Sequence, residues 1–114
     1  MIKRYIQTKI NHRVVEYNGV LYFGGLVADD KSKNMKGQTE EICVKIDALL
    51  AEVGSSKENL LTAMIYISDF TAKDGMNEAW LEWLPAEYLP TRATIGVAEL
   101  GKDTLIEVVV SAAR

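Results

Sequence analysis

The stretch Leu89-Pro90-Thr91-Arg92-Ala93-Thr94-Ile95-Gly96-Val97 sets a single guanidinium at the mouth of an apolar, β-branched run. Pro90 fixes its own φ, has no N–H to donate and pushes Leu89 out of the helical region, so a helix and loop must give way to a strand here. Thr91, Thr94, Ile95 and Val97 favour that strand. Alternation puts Arg92, Thr94 and Gly96 on one face and Thr91, Ala93, Ile95 and Val97 on the other, and the second, more apolar set is expected to face the core. Arg92, Thr94 and Gly96 would then line a polar, uncrowded surface suited to a small ligand.

Towards the C-terminus, Gly101-Lys102-Asp103 reads as a turn into a last strand, Leu105 to Ala112. Glu107 shares a face of that strand with Leu105, Val109 and Ser111, and an ionised carboxylate in such a run needs a charge partner, several donors or a water-filled site. If the turn closes a hairpin, Arg92 and Glu107 lie near the same end of the sheet.

Towards the N-terminus, Met76, Ala79, Trp80 and Trp83 repeat at helical spacing after a cap at Asp69 or Thr71, and Leu84-Pro85 stops that helix. Leu60 to Ile67 is a dense apolar run and reads as a buried strand. An earlier helix begins at Gly37, carries Ile42, Ile46, Leu49, Leu50 and Val53 on one face and ends at Gly54. Before it come a polar loop, Asp29 to Lys36, and the pair Gly24-Gly25, which lets the backbone approach something closely. Arg13 to Phe23 forms two extended runs around Asn18-Gly19, the pair best suited to a tight hairpin turn, and Lys3 to Thr8 is a short first strand. The order is β-β-β-α-β-α-β-β: an α+β single domain over residues 1–114, a mixed sheet with two helices covering one face.

A chain of 114 residues with 48% hydrophobic residues supports one core. The net charge of −3 argues against nucleic acid, whose phosphates require a clustered excess of Lys and Arg. One Cys and one His give no plausible metal site, and Cys43, beside the apolar stripe of the first helix, reads as a buried, inert thiol. His12 reads as an exposed loop residue. Trp80 and Trp83 read as core or subunit-interface residues. No run approaches the roughly 20 apolar residues of a membrane span, and a cytoplasmic, reducing setting is expected.

Pro90-Thr91-Arg92-Ala93-Thr94 followed by Ile106-Glu107, together with Gly24-Gly25, the helix end Leu50-Ala51-Glu52-Val53-Gly54 and Met76-Asn77, resembles the Rid/YjgF family, whose RidA-type members are enamine/imine deaminases. The resemblance implies a chorismate-mutase-like protomer assembled as a homotrimer, with the sheets forming an inner barrel and the sites lying between subunits. It assigns Arg92 to the substrate carboxylate and Glu107 to the attacking water, with Gly25, Thr94 and Asn77 lining the pocket. Neither a metal nor another cofactor is implied. The chain departs from the archetypes at Asn11-His12-Arg13 in place of Gly-Pro-Tyr, at Gly24 in place of serine and at Thr94 in place of cysteine, as a shorter, divergent branch would. Two functions are therefore expected: hydrolysis of 2-imino or 2-enamino acids to 2-keto acids and ammonia, or non-catalytic binding of a small carboxylate with a regulatory or partner-stabilising role.

Overall fold

The computed structural model describes all 114 residues, Met1–Arg114. Its strands are β1 (Lys3–Gln7), β2 (His12–Tyr17), β3 (Val20–Phe23), β4 (Leu60–Ile67), β5 (Thr91–Gly96) and β6 (Ile106–Ala113); its long helices are α1 (Met35–Glu52) and α2 (Lys73–Trp83). They follow one another in the expected order. Asn18 and Gly19 both take positive φ, +52° and +77°, at the tight β2–β3 turn.

Helix α1 starts two residues before Gly37, because Asn34 caps it by accepting a hydrogen bond from Gly37 N at 2.9 Å. It ends on Gly54, whose φ of +82° lets Ser55 N reach back to Leu50 O at 2.8 Å. Ile42, Ile46 and Leu50 are fully buried from α1, and Met76 and Trp80 from α2, against the inner face of the sheet at Leu21, Ala63, Ile65, Ile67, Ile106 and Val108.

The six strands are ordered β1-β2-β3-β6-β4-β5, all neighbours antiparallel except β4 and β5, which the α2 crossover makes parallel. The expected hairpin between the Arg92 and Glu107 strands does not form. β6 has four apolar side chains to bury, Ile106, Val108, Val110 and Ala112, as many as β4, and it takes a central place between β3 and β4. β5 is left at the edge.

A second expectation is corrected at β5. Arg92 lies beside Ala63, Thr94 beside Ile65 and Gly96 beside Ile67, so these three residues face the helices; Ala93 and Ile95 lie beside Met64 and Tyr66 on the uncovered face. Neighbouring strands share faces in register, and β4 directs Ala63, Ile65 and Ile67 beneath the helices. At an edge strand this overrides the preference of Ala93 and Ile95 for the core.

Candidate functional site

The helix-side cluster is built by β5 and α2. Arg92 runs along a groove of about 370 Å³ whose walls are Asn77, Trp80, Leu81, Leu89 and Pro90. Its Nη1 lies 3.7 Å from Met76 Sδ, the only polar contact made by the guanidinium, which forms no ion pair. Partial desolvation lowers its pKa from the ordinary arginine value, but a guanidinium remains a cation at neutral pH. Thr94 Oγ1, one step along the same face, and Asn77 Oδ1, on α2, are both buried without a hydrogen-bond partner. Unmatched buried polar atoms are uncommon, and Asn77, which also lines the groove, places one of them beside the uncompensated cation, an arrangement suited to a polar ligand.

The second cluster lies on the uncovered face. Glu107, beside Tyr66 at the start of β6, is half-buried and forms no hydrogen bond or ion pair within the chain. Its carboxylate lies directly over Gly25, where a Cβ would overlap Glu107 Oε2. The approach is pinned by a two-way backbone bridge, Leu26 N to Val108 O at 2.9 Å and Val108 N to Leu26 O at 3.0 Å. Gly24 is held by its N–H to Arg13 O at 2.9 Å, and a Cβ there would meet only Asn11 Nδ2 and Arg13 O, at ordinary contact distances. The close approach read from the glycine pair is therefore to Glu107, and Gly25 is the residue that requires it.

The five expected site residues thus fall into two sets, Arg92, Thr94 and Asn77 towards the helices and Gly25 and Glu107 on the opposite face. Arg92 is level with Ala63 and Glu107 with Tyr66, three positions along β4 and with β4 between them. That separation is about 10 Å along the strands and about 10 Å across them. The sequence reading missed Met76 as the contact that steers Arg92 and Leu81, Leu89 and Pro90 as walls. The exposed Leu81, out of step with the apolar stripe of α2, was the available signal.

Other candidates resolve otherwise. The Cys43 thiol is buried, and desolvation, with Asp47 and Glu40 nearby, pushes it up to about 12, so it is no nucleophile. His12 sits at the start of β2 opposite Gln7. Trp80 is core, and Trp83 packs edge-on against it with ring centroids 5.4 Å apart while donating to Asp47.

The family model described as Endoribonuclease L-PSP matches residues 3–114. A RutC family protein of Haemophilus ducreyi is 34% identical over 113 residues, spanning 99% of this chain and 97% of the relative. The RutC family protein YoaB of Escherichia coli is 32% identical over 100 residues, spanning 88% and 87%. Among solved structures, a protein of Pseudomonas aeruginosa superposes with a TM-score of 0.94 at 32% identity, covering 100% of this chain and 99% of the other. A member of the YjgF protein family from Neisseria meningitidis superposes equally well, 0.94, at 28% identity over 100% and 95%.

Proposed function

The chain belongs to the Rid/YjgF (RutC) family, and from that premise we propose that it hydrolyses 2-imino acids, and the 2-enamino acids that tautomerise to them, to 2-keto acids and ammonia. The observation that carries the reading is the pairing of an uncompensated guanidinium in a groove with a carboxylate held without partners over Gly25. Arg92 supplies a planar fork that takes the substrate carboxylate bidentately and fixes the adjacent C2=N bond. Glu107 takes a proton from water as the oxygen adds to C2 and passes it to the nitrogen, giving a carbinolamine; it then takes the hydroxyl proton and passes it to the amine as the C=O bond forms, the C–N bond breaks and ammonia leaves. One water is consumed, one ammonia is released, and no electrons are exchanged.

Because the two groups occupy opposite faces of one sheet, the proposed site joins Arg92 of one copy to Glu107 of another in a homotrimer. The uncovered face supports this: Met64, Tyr66, Val109, Tyr22 and Ile95 make it apolar, with Tyr22 52% and Ile95 38% exposed in the single chain. Light scattering tests the assembly against a protomer of 12.7 kDa. Three copies give 3 × 12.7 = 38.1 kDa, and a monomer removes the shared site.

The discriminating assay is ammonia release from 2-iminopropionate generated in situ by an amino-acid oxidase. Accelerated release that Arg92→Ala abolishes supports hydrolysis. If Arg92 still holds 2-ketobutyrate while nothing is hydrolysed, the chain is a carboxylate-binding module. RNA cleavage, which the description of the family model would suggest, finds little support in a chain of net charge −3.

A further inference from the structure

We infer that the Arg92 groove selects the substrate's side chain as well as its carboxylate, taking monoanionic 2-imino acids with a branched aliphatic or aromatic side chain and rejecting those with a second carboxylate. The inference rests on the deaminase reading only for the word imino; the selectivity belongs to the groove. Trp80, Leu81, Leu89 and Pro90 form its walls, and Arg92 is its one cation. Leu81 is 61% and Leu89 42% exposed in the chain, so two large aliphatic side chains stand at the mouth with apolar surface still to cover. Between Asn77 and Arg92 the charged residues are Glu78 and Glu82, both paired with Lys36 at 3.6 and 3.0 Å, and Glu87, which forms no ion pair.

The chemistry follows from those walls. Once Arg92 and the unpartnered Asn77 Oδ1 have taken the polar end of a 2-imino acid, its side chain lies against indole and leucine carbon. Each methylene covered there strengthens binding by roughly fourfold when fully buried. A second carboxylate would lose water against the same carbon with no second cation among the groove's walls to meet it. A lone methyl would leave most of the 370 Å³ empty.

Stable 2-keto acids test this without turnover. Calorimetric titration of the wild-type protein should give 4-methyl-2-oxopentanoate a Kd at least about tenfold below those of both pyruvate and 2-oxoglutarate, a difference in the range a few methylenes command. Leu81→Arg, an exposed position that leaves the core untouched, should bring 2-oxoglutarate to within about threefold of 4-methyl-2-oxopentanoate. Equal affinities in the wild type, tighter 2-oxoglutarate, no binding of any keto acid, or an unchanged ratio in Leu81→Arg would each overturn the selectivity. Ammonia release with leucine-, alanine- and glutamate-derived imino acids is the separate arm: no turnover with any of them, beside the expected order of Kd values, sinks the deaminase reading and leaves the groove's selectivity standing.

Discussion

Arg92 and Glu107 stand on opposite faces of one sheet, on β5 and β6, with β4 between them. If both serve one reaction they belong to different copies of the chain, and subunit mixing makes the idea testable. Arg92→Ala and Glu107→Gln should each lower turnover severely, the second by roughly 10²- to 10⁴-fold, the worth of a positioned base. Unfolded together in equal amounts and refolded, the two variants should recover up to about a quarter of wild-type activity, since a quarter of randomly assembled interfaces pair an intact Arg92 with an intact Glu107. Recovery no greater than the sum of the separate variants would place both groups in a site made by one chain.

The glycine pair gives a contrast within two adjacent residues. Gly25→Ala puts a methyl group where the Glu107 carboxylate lies, whereas Gly24→Ala meets Asn11 Nδ2 at an ordinary 3.4 Å. Neither glycine has positive φ, so backbone strain does not enter. Gly25→Ala should fold, yet lose at least about 100-fold in kcat as Glu107 is displaced, comparable to losing the base outright. Gly24→Ala should retain activity within a few-fold. Steady-state assays with circular dichroism as the folding control check both, and equal losses would mean that the close approach to Glu107 is not what makes Gly25 necessary.

Much of this architecture is legible in the residues. Leu60–Ile67 is a strand over the whole expected range, Asn18-Gly19 turns the hairpin, and the element order follows from hydrophobic period together with the turn and stop residues between the runs. What was not legible depends on neighbours distant in the chain. The faces of β5 differ by little, Ala93 and Ile95 against Thr94 and Gly96, and the register with β4 decides between them. The insertion of β6 between β3 and β4 has no local signal, whereas the short turn at Gly101-Lys102-Asp103 points by itself to an Arg92–Glu107 hairpin. The site residues were recognised as a motif, but their division between two faces is a property of the sheet.

Gln38 illustrates the same limit and carries its own prediction. It is fully buried on α1, where its amide donates to Lys33 O and Asp103 O and accepts from Leu105 N, each at 3.0 Å. Two of those partners are supplied by the chain leading into β6, more than sixty positions away. Gln38→Leu keeps the bulk and strips three part-buried backbone groups of a partner, at a cost of about 1–3 kcal/mol. Urea unfolding should show a lower midpoint at unchanged slope. A midpoint within error of the wild type would mean that water replaces the amide without loss.

The remaining prediction concerns acid, and its sign follows from two carboxylates that meet where the loop before α1 begins, Asp29 in the loop and Glu41 on α1. Asp29 is held below the ordinary 3.8 chiefly by the hydrogen bond from Lys45 Nζ at 2.7 Å, and Glu41 below the ordinary 4.5 chiefly by the backbone N–H of Asp29, with Asp30 N and Lys33 adding to it. A carboxylate whose folded pKa is depressed gives stability that is fully present above its unfolded pKa and is lost as pH falls through the folded value. The contribution should therefore be intact at pH 6 and fade as the pH falls below about 4. Glu41→Gln removes the charge at every pH while keeping one oxygen that accepts from the Asp29 N–H, the stronger of the two backbone donors. Its melting temperature should fall below that of the wild type at pH 6, and the two curves should converge by about pH 2 as the wild-type carboxyl takes up its proton. Both proteins are exposed here to the same general acid destabilisation, so the gap between them, rather than either curve, is the quantity to read. A gap that persists unchanged from pH 6 to pH 2 would show that Glu41 holds the loop by shape and hydrogen bonding alone, with no share carried by its charge.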